Sequence, residues 1–171
     1  MRLNIQRVVK MIIRDYHEAD KNQILLLHNE FEREFFPEFY SEESLLEERD
    51  LEDRYSYYIH QSGKFWVMDD QGVVVGFIGV QIQAGTRADL IQLRVRKSHR
   101  RRGIGTLLIN KVEEYALSLG KDRMFLHTAD RLVNARNLYE KSGYRLESST
   151  KSPPFQFTVM IYRKDLLSSS L

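Results

Sequence analysis

The chain has 171 residues, of which 42% are hydrophobic, 29% charged and 11% aromatic. That is the size and composition of one globular domain, and too apolar for a disordered chain. With no cysteine, it excludes a disulfide framework, a Cys-ligated metal and a catalytic thiol. The net charge of +2 is unevenly placed: eleven acidic residues between His28 and Asp53 face only Arg33 and Arg49, a local balance of −9 that leaves +11 for the rest. Much of the positive charge sits in Arg94, Arg96, Lys97, Arg100, Arg101 and Arg102, so one pole suits cations and the other anions or phosphates.

Met11–Arg14 reads as a first strand. Asp20 is placed to N-cap a helix carrying Ile24, Leu25, Leu27, His28 and Phe31. A second helix is expected over Glu42–Gln61, ending towards Gly63. Phe65–Met68 and Val73–Gln83 form a hairpin around Asp69-Asp70-Gln71-Gly72. The run Val73–Val80 has 8 apolar residues including two glycines, far short of the ~20 that span a bilayer. The amino terminus lacks an apolar stretch with a cleavage site, so a cytoplasmic location is the default expectation.

In Leu90–Val95, Ile91, Leu93 and Val95 alternate with Leu90, Gln92 and Arg94 at the period of a strand. A helix follows on Ile104, Leu107, Leu108, Val112, Tyr115, Ala116 and Leu119, with Gly120 at its C′ position. Met124–Thr128 is a strand and Arg131–Lys141 a helix that stops before Gly143. Tyr144–Ser148 and Phe155–Tyr162 close the chain as strands, the last with Phe155, Phe157, Val159 and Ile161 on one face. This order predicts one α/β domain over 1–171, with residues 1–10 as an extension and 166–171 as a tail. Its middle strand-helix-strand unit makes a parallel pair within a mixed sheet carrying helices on both faces.

Between Leu93 and Thr106 a strand runs into a basic, glycine-bearing loop that opens a helix. A helix amino terminus presents unpaired N–H groups and a partial positive charge, and Gly103 and Gly105 let the backbone approach an anion. The flanking arginines can neutralise phosphates. The G-x-x-x-x-G-K-[ST] pattern is absent, and Leu108 stands where a dinucleotide fingerprint needs its third glycine.

The segment resembles the GNAT N-acetyltransferases, whose signature is [LI]-x-V, a short loop and then [RQ]-x-x-G-x-[GA]. Leu93-x-Val95 followed by Arg100-Arg101-Arg102-Gly103-Ile104-Gly105 matches it. Thr128, Leu132, Ala135, Leu138-Tyr139-Glu140-Lys141 and Gly143-Tyr144 resemble the family's second motif, and Ile13-Arg14, Ala19-Asp20 and Gly76-Phe77-Ile78 its first strand, first helix and hairpin. The resemblance implies the GNAT fold, an α+β arrangement with a mixed sheet of about seven strands and a splayed parallel pair of fourth and fifth strands.

It also implies an acetyl-CoA-dependent transfer of acetyl to a primary amine, with no metal. By motif position, backbone groups of Leu93, Arg94 and Val95 pair with the pantetheine arm. N–H groups of Arg101, Arg102, Gly103, Ile104, Gly105 and Thr106, next to Arg100, cradle the pyrophosphate. The Val95 N–H is the implied oxyanion donor and Tyr139 the implied general acid to the leaving thiolate. Leu132 stands where many members have asparagine. At 100° per residue Asn134 lies about 140° around the helix from Tyr139 and Arg136 about 60°, so Arg136 is the implied coenzyme contact.

The general base stays open between Asp89, Glu30, Glu34 and His127, Gln92 occupying a position where some members have an acid. The acceptor is expected beside the acidic, aromatic segment, with Glu30, Glu34 and Phe35 contacting it, which suits a polyamine, a lysine side chain or a peptide amino terminus. A homodimer is compatible with this reading, and no membrane partner is expected. The rival readings are a CoA-binding regulatory module without turnover, and a nucleic-acid-binding domain using Arg94–Arg102. Against the second stand the near-balanced charge and the absence of a recognised binding motif.

Overall fold

The computed structural model describes residues 11–39, 63–151, 153 and 156–166, so the helix expected over Glu42–Gln61 lies outside the described residues. The elements in chain order are β1 Ile12–Asp15, α1 Lys21–Phe35, β2 Gly63–Asp70, β3 Val73–Ile82, β4 Arg87–Val95, α2 Ile104–Ser118, β5 Arg123–Ala129, α3 Val133–Lys141, β6 Arg145–Lys151 and β7 Thr158–Asp165. The seven strands form one sheet in the order β1-β2-β3-β4-β5-β7-β6. Every neighbouring pair is antiparallel except β4 and β5, which are joined through α2 and run parallel.

Alternation in the strands divides the core into two layers. On one face Trp66, Met68, Ile78 and Leu90 pack with Leu108 and Val112 of α2 and Tyr139 of α3. On the other, Phe65, Val67, Val74 and Phe77 meet Ile24 and Leu27 of α1. The β2–β3 turn puts Gln71 at φ 57 and Gly72 at φ 87, the handedness that matches the twist of a two-residue hairpin.

Three local expectations are revised. Asp20 stands at the N-cap position of α1 but makes no side-chain capping bond there. Its carboxylate instead takes Arg14 at 2.7 and 2.8 Å and the His17 amide at 2.9 Å, tying β1 to the turn before α1. The last strand begins at Thr158, and its buried face is Met160 and Tyr162, leaving Val159 and Ile161 on the half-buried side.

In β4 the simple alternation fails at a bulge. Val80 pairs with Leu90 and Gly79 with Ile91, but Phe77 pairs with Arg94, so Gln92 and Leu93 together stand opposite Ile78. Gln92 adopts φ 57 to make room. Ile91 therefore faces the α1 layer while Leu93 and Val95 face the α2 layer, against the single face expected from the sequence.

Gly79, next to this bulge, has no room for a side chain: a Cβ there would lie 2.6 Å from Phe65 Cε1 and 2.8 Å from Ile91 Cγ1. Gly79→Ala is expected to lower unfolding stability by about 1–3 kcal/mol in urea titration, the usual range for overpacking a tight core.

Candidate active site

The site opens where the sheet parts. Pairing between β4 and β5 ends at Leu90 and Leu126, yet β4 continues to Val95 and β5 to Ala129. The bulge at Gln92 bends β4 away within that unpaired stretch. Between the two strand ends lies an opening with Leu93, Arg94 and Val95 along one side. Gln92 contributes a buried Oε1 that receives no hydrogen bond.

Beyond Val95 the chain makes a 3-10 turn at Lys97–His99 and enters α2 through Arg101 at φ 63 and Gly103 at φ 78. None of the main-chain N–H groups from Arg101 to Thr106 donates to another described residue; the first bond of the helix is Leu107 N–H to the Gly103 carbonyl at 3.1 Å. Six consecutive donors at the positive end of a 15-residue helix form an anion cradle. A Cβ on Gly103 would meet nothing within 4 Å, so its requirement is the left-handed φ. Gly105 has a packing reason of its own: a Cβ there would lie 2.6 Å from Leu138 Cδ2, so its smallness lets α3 come close to the start of α2.

The basic run divides in two. Arg101 and Arg102 are exposed beside the cradle, with no ion pair among the described residues. Arg94 and Arg100 turn towards α1, joined there by Arg131. Arg94 stacks 3.9 Å from the Phe31 ring and reaches Glu32 at 3.4 Å. Arg100 lies 5.4 Å from the Phe35 ring and forks onto both Glu34 oxygens at 2.9 Å. Arg131 lies 5.2 Å from Phe36 and bonds Glu38 at 2.5 Å. The Arg100 guanidinium holds the Glu34 carboxyl below its ordinary range. Among the described acids of this segment, Glu32, Glu34 and Glu38 are thus each matched by an arginine, and Glu30 is left exposed. The acidic lining expected for a cationic acceptor is, over this stretch, neutralised from the sheet.

Tyr139 lies in the α2 layer of the core, 6% exposed, with its ring 6.2 Å from Tyr144 and 6.4 Å from Tyr162. Burial pushes its phenol up to about 12, and the Arg94 charge pulls in the other direction. The proton is therefore held through the neutral range. Arg136 spends its guanidinium inside the fold, donating to the Tyr162 hydroxyl at 3.2 Å and to the Asp130 carbonyl at 3.2 Å. Tyr162 in turn donates to Glu140 at 2.8 Å. This clasp ties α3 to β7, and with it the segment that carries Tyr139.

Val95 pairs with Gly76, and its carbonyl accepts Arg100 Nε at 3.0 Å. Of the base candidates, Asp89 is held by Arg87 and Gln83, each at 2.7 Å, and Glu34 by Arg100. His127 is exposed on β5 opposite Ile161.

A family model described as the acetyltransferase (GNAT) family matches residues 25–144, well over half of the chain. The chain belongs to the GNAT acetyltransferase family. Among relatives, the GNAT domain is 32% identical over 140 residues to "Probable N-acetyltransferase camello" of Xenopus laevis, covering 77% of this chain and 64% of that protein. It is 31% identical over 120 residues to the protein of the same name in Xenopus tropicalis, covering 66% of this chain and 55% of that one. The chain thus spans less than two thirds of the length of these relatives. In fold it is similar to the PaiA N-acetyltransferase of Thermoplasma acidophilum, crystallised in complex with coenzyme A, with a TM-score of 0.78 at 20% identity, covering 91% of this chain and 99% of that one. The seven-strand sheet with one parallel β4–β5 pair is the GNAT fold.

Sequence reasoning missed Tyr162, Glu32 and Arg131 in this GNAT domain. Tyr162 was hidden by reading the last strand's buried face one residue out of phase. The arginines and glutamates pair across 62 to 93 residues, and no local pattern signals that.

Among the described residues no group of three or more His, Asp or Glu could hold a metal ion, and no helix is long and apolar enough to cross a membrane. Gly103→Ala is expected to lower stability by about 1–2 kcal/mol through backbone strain alone, measured by denaturant titration.

Proposed function

We propose that this domain transfers an acetyl group from acetyl-CoA directly to a primary amine. The observation that carries the reading is the row of six unbonded amides, Arg101 to Thr106, at the end of a strand whose last five residues have no β5 partner. A diphosphate fits such a cradle, and an extended amide-bearing arm fits the unpaired edge of β4 as an added strand does. Arg101 and Arg102 stand exposed to add charge at the phosphate end.

Acetyl-CoA supplies the activated thioester when bound. The chain's own contributions follow from position. Leu93, Arg94 and Val95 hold the arm through main-chain groups, and the Val95 N–H is the donor assigned to the carbonyl oxygen. An ammonium acceptor gives up a proton before it attacks, and exposed His127 and Glu30 are the candidate bases whose side chains are not held by an arginine. Tyr139 supplies the proton to the departing sulfur. With no cysteine in the chain, acyl transfer through a thiol of this protein has no carrier.

Thermal denaturation with CoA, acetyl-CoA and ATP tests the cradle: CoA and acetyl-CoA should raise the melting temperature, and ATP by much less. Absence of any rise with CoA would overturn the reading. Thiol release over an amine panel tests turnover. Tyr139→Phe is expected to lower kcat by about 100-fold while leaving the CoA-induced rise in place. Because the phenol sits near 12, the wild-type profile should show no loss from its ionisation below about pH 11, one unit under that value. An unchanged kcat in Tyr139→Phe would remove the residue from the mechanism.

A further inference from the structure

Three arginines, Arg94 from β4 and Arg100 and Arg131 from the loops after β4 and β5, reach onto α1 and the turn that follows it. Arg100 forks onto Glu34 with both terminal nitrogens and gives Nε to the Val95 carbonyl. Arg131 divides one terminal nitrogen between Glu38 and the Phe35 carbonyl, with its face held between Phe36 and Phe157. Arg94 is set apart by a buried donor without a partner. Its contact with Glu32 is long at 3.4 Å, its other terminal nitrogen bonds only the carbonyl of its neighbour Leu93 at 3.0 Å, and its buried Nε has no acceptor. Glu32 is shared besides, lying 3.9 Å from His28 Nε2.

Arg94 is also the arginine of the three that stands in the unpaired stretch of β4, between Leu93 and Val95, and its charge reaches Tyr139. Its side chain is 16% exposed, and its flat face is fixed on Phe31. A guanidinium fixed in this way, with donors unspent, is built for a carboxylate, whose two oxygens match its fork. On the same strand, two residues away, the buried Gln92 Oε1 has no donor.

We propose that the acceptor is an amino acid or a close relative, a small molecule carrying a carboxylate near the amine, and that Arg94 binds that carboxylate. This rests on the acetyltransferase reading of the same site. It replaces the cationic acceptor expected from the acidic segment, because the described glutamates of that segment other than Glu30 already carry arginine partners. A zwitterion brings what this strand lacks: anionic oxygens for Arg94, and N–H donors for an acceptor such as Gln92 Oε1.

The test compares kcat/KM by thiol release for matched acceptors: a free amino acid, its amide and its decarboxylated amine, together with spermidine and a lysine peptide. The wild type should favour the amino acid over its amide by about 30-fold or more, the range for a charged group lost from a built ion pair. In Arg94→Gln that ratio should fall to within about threefold of one, and Arg94→Lys should give an intermediate ratio because it keeps charge but not the fork. CoA thermal shifts on wild type and both variants report whether fold and coenzyme site are intact. If CoA stabilises the wild type but the amide, the decarboxylated amine, spermidine or the lysine peptide is used as well as the amino acid, this proposal is overturned and the acetyltransferase reading stands. A ratio unchanged in Arg94→Gln overturns it equally. If CoA does not stabilise the wild type, the acetyltransferase reading falls and this proposal with it.

Discussion

Past Leu90 and Leu126 the parallel ladder stops, and a single inserted residue coincides with that parting. Gln92 takes a left-handed φ that a glutamine adopts only at a cost, so the bulge has to be held from outside the strand. The holding comes from both faces. Phe65 and Ile91 close tightly around Gly79 on one side, and Leu93 and Val95 anchor in the α2 layer on the other. The opening, the exposed main chain of β4 and the aim of the loop into α2 all follow from this one irregularity. A regular strand here would keep pairing with β5 and leave no cleft.

The second constraint is electrostatic. The sequence has an acidic pole and a basic pole, and the fold brings part of each together along α1. Each of three arginines has an aromatic face and a carboxylate, so charge, stacking and helix placement are settled by the same contacts. Partial burial makes such pairs less screened than surface ones, though each still gives up hydration. Arg101 and Arg102 stay exposed next to a helix terminus of the same sign, so a polyphosphate is drawn to that end of the cleft.

Much of this was legible in the chain. Strand and helix periods placed all seven strands, α1, α2 and α3, and the glycine-arginine loop marked the anion cradle. Gly103 was read as admitting an anion, and its left-handed φ of 78 came only from the structure. The bulge could not be read, since Leu90–Val95 alternates well enough to pass as a regular strand and only pairing with β3 shows the extra residue. The packing role of Gly105 was not legible, because its neighbour Leu138 lies 33 positions on in the chain. The capping role of Asp20 failed because Arg14 and the His17 amide occupy its carboxylate and turn it away from the α1 amides.

The last three residues of β4 divide the work of the site. After the bulge Leu93 and Val95 turn to the α2 layer, with Tyr139 in that same layer, and Arg94 turns to Phe31 on α1. One strand thus presents main chain to the cleft, apolar side chains to the layer that holds Tyr139 and a cation to the α1 layer. The Arg94 charge is felt by the Tyr139 phenol, which links the two sides without contact. On the proposed reading, a carboxylate seated on Arg94 would offset that pull and hold the phenol proton more firmly. Under that proposal acceptor recognition and proton supply would be two effects of a single arginine, whose position is set by the residue inserted at 92.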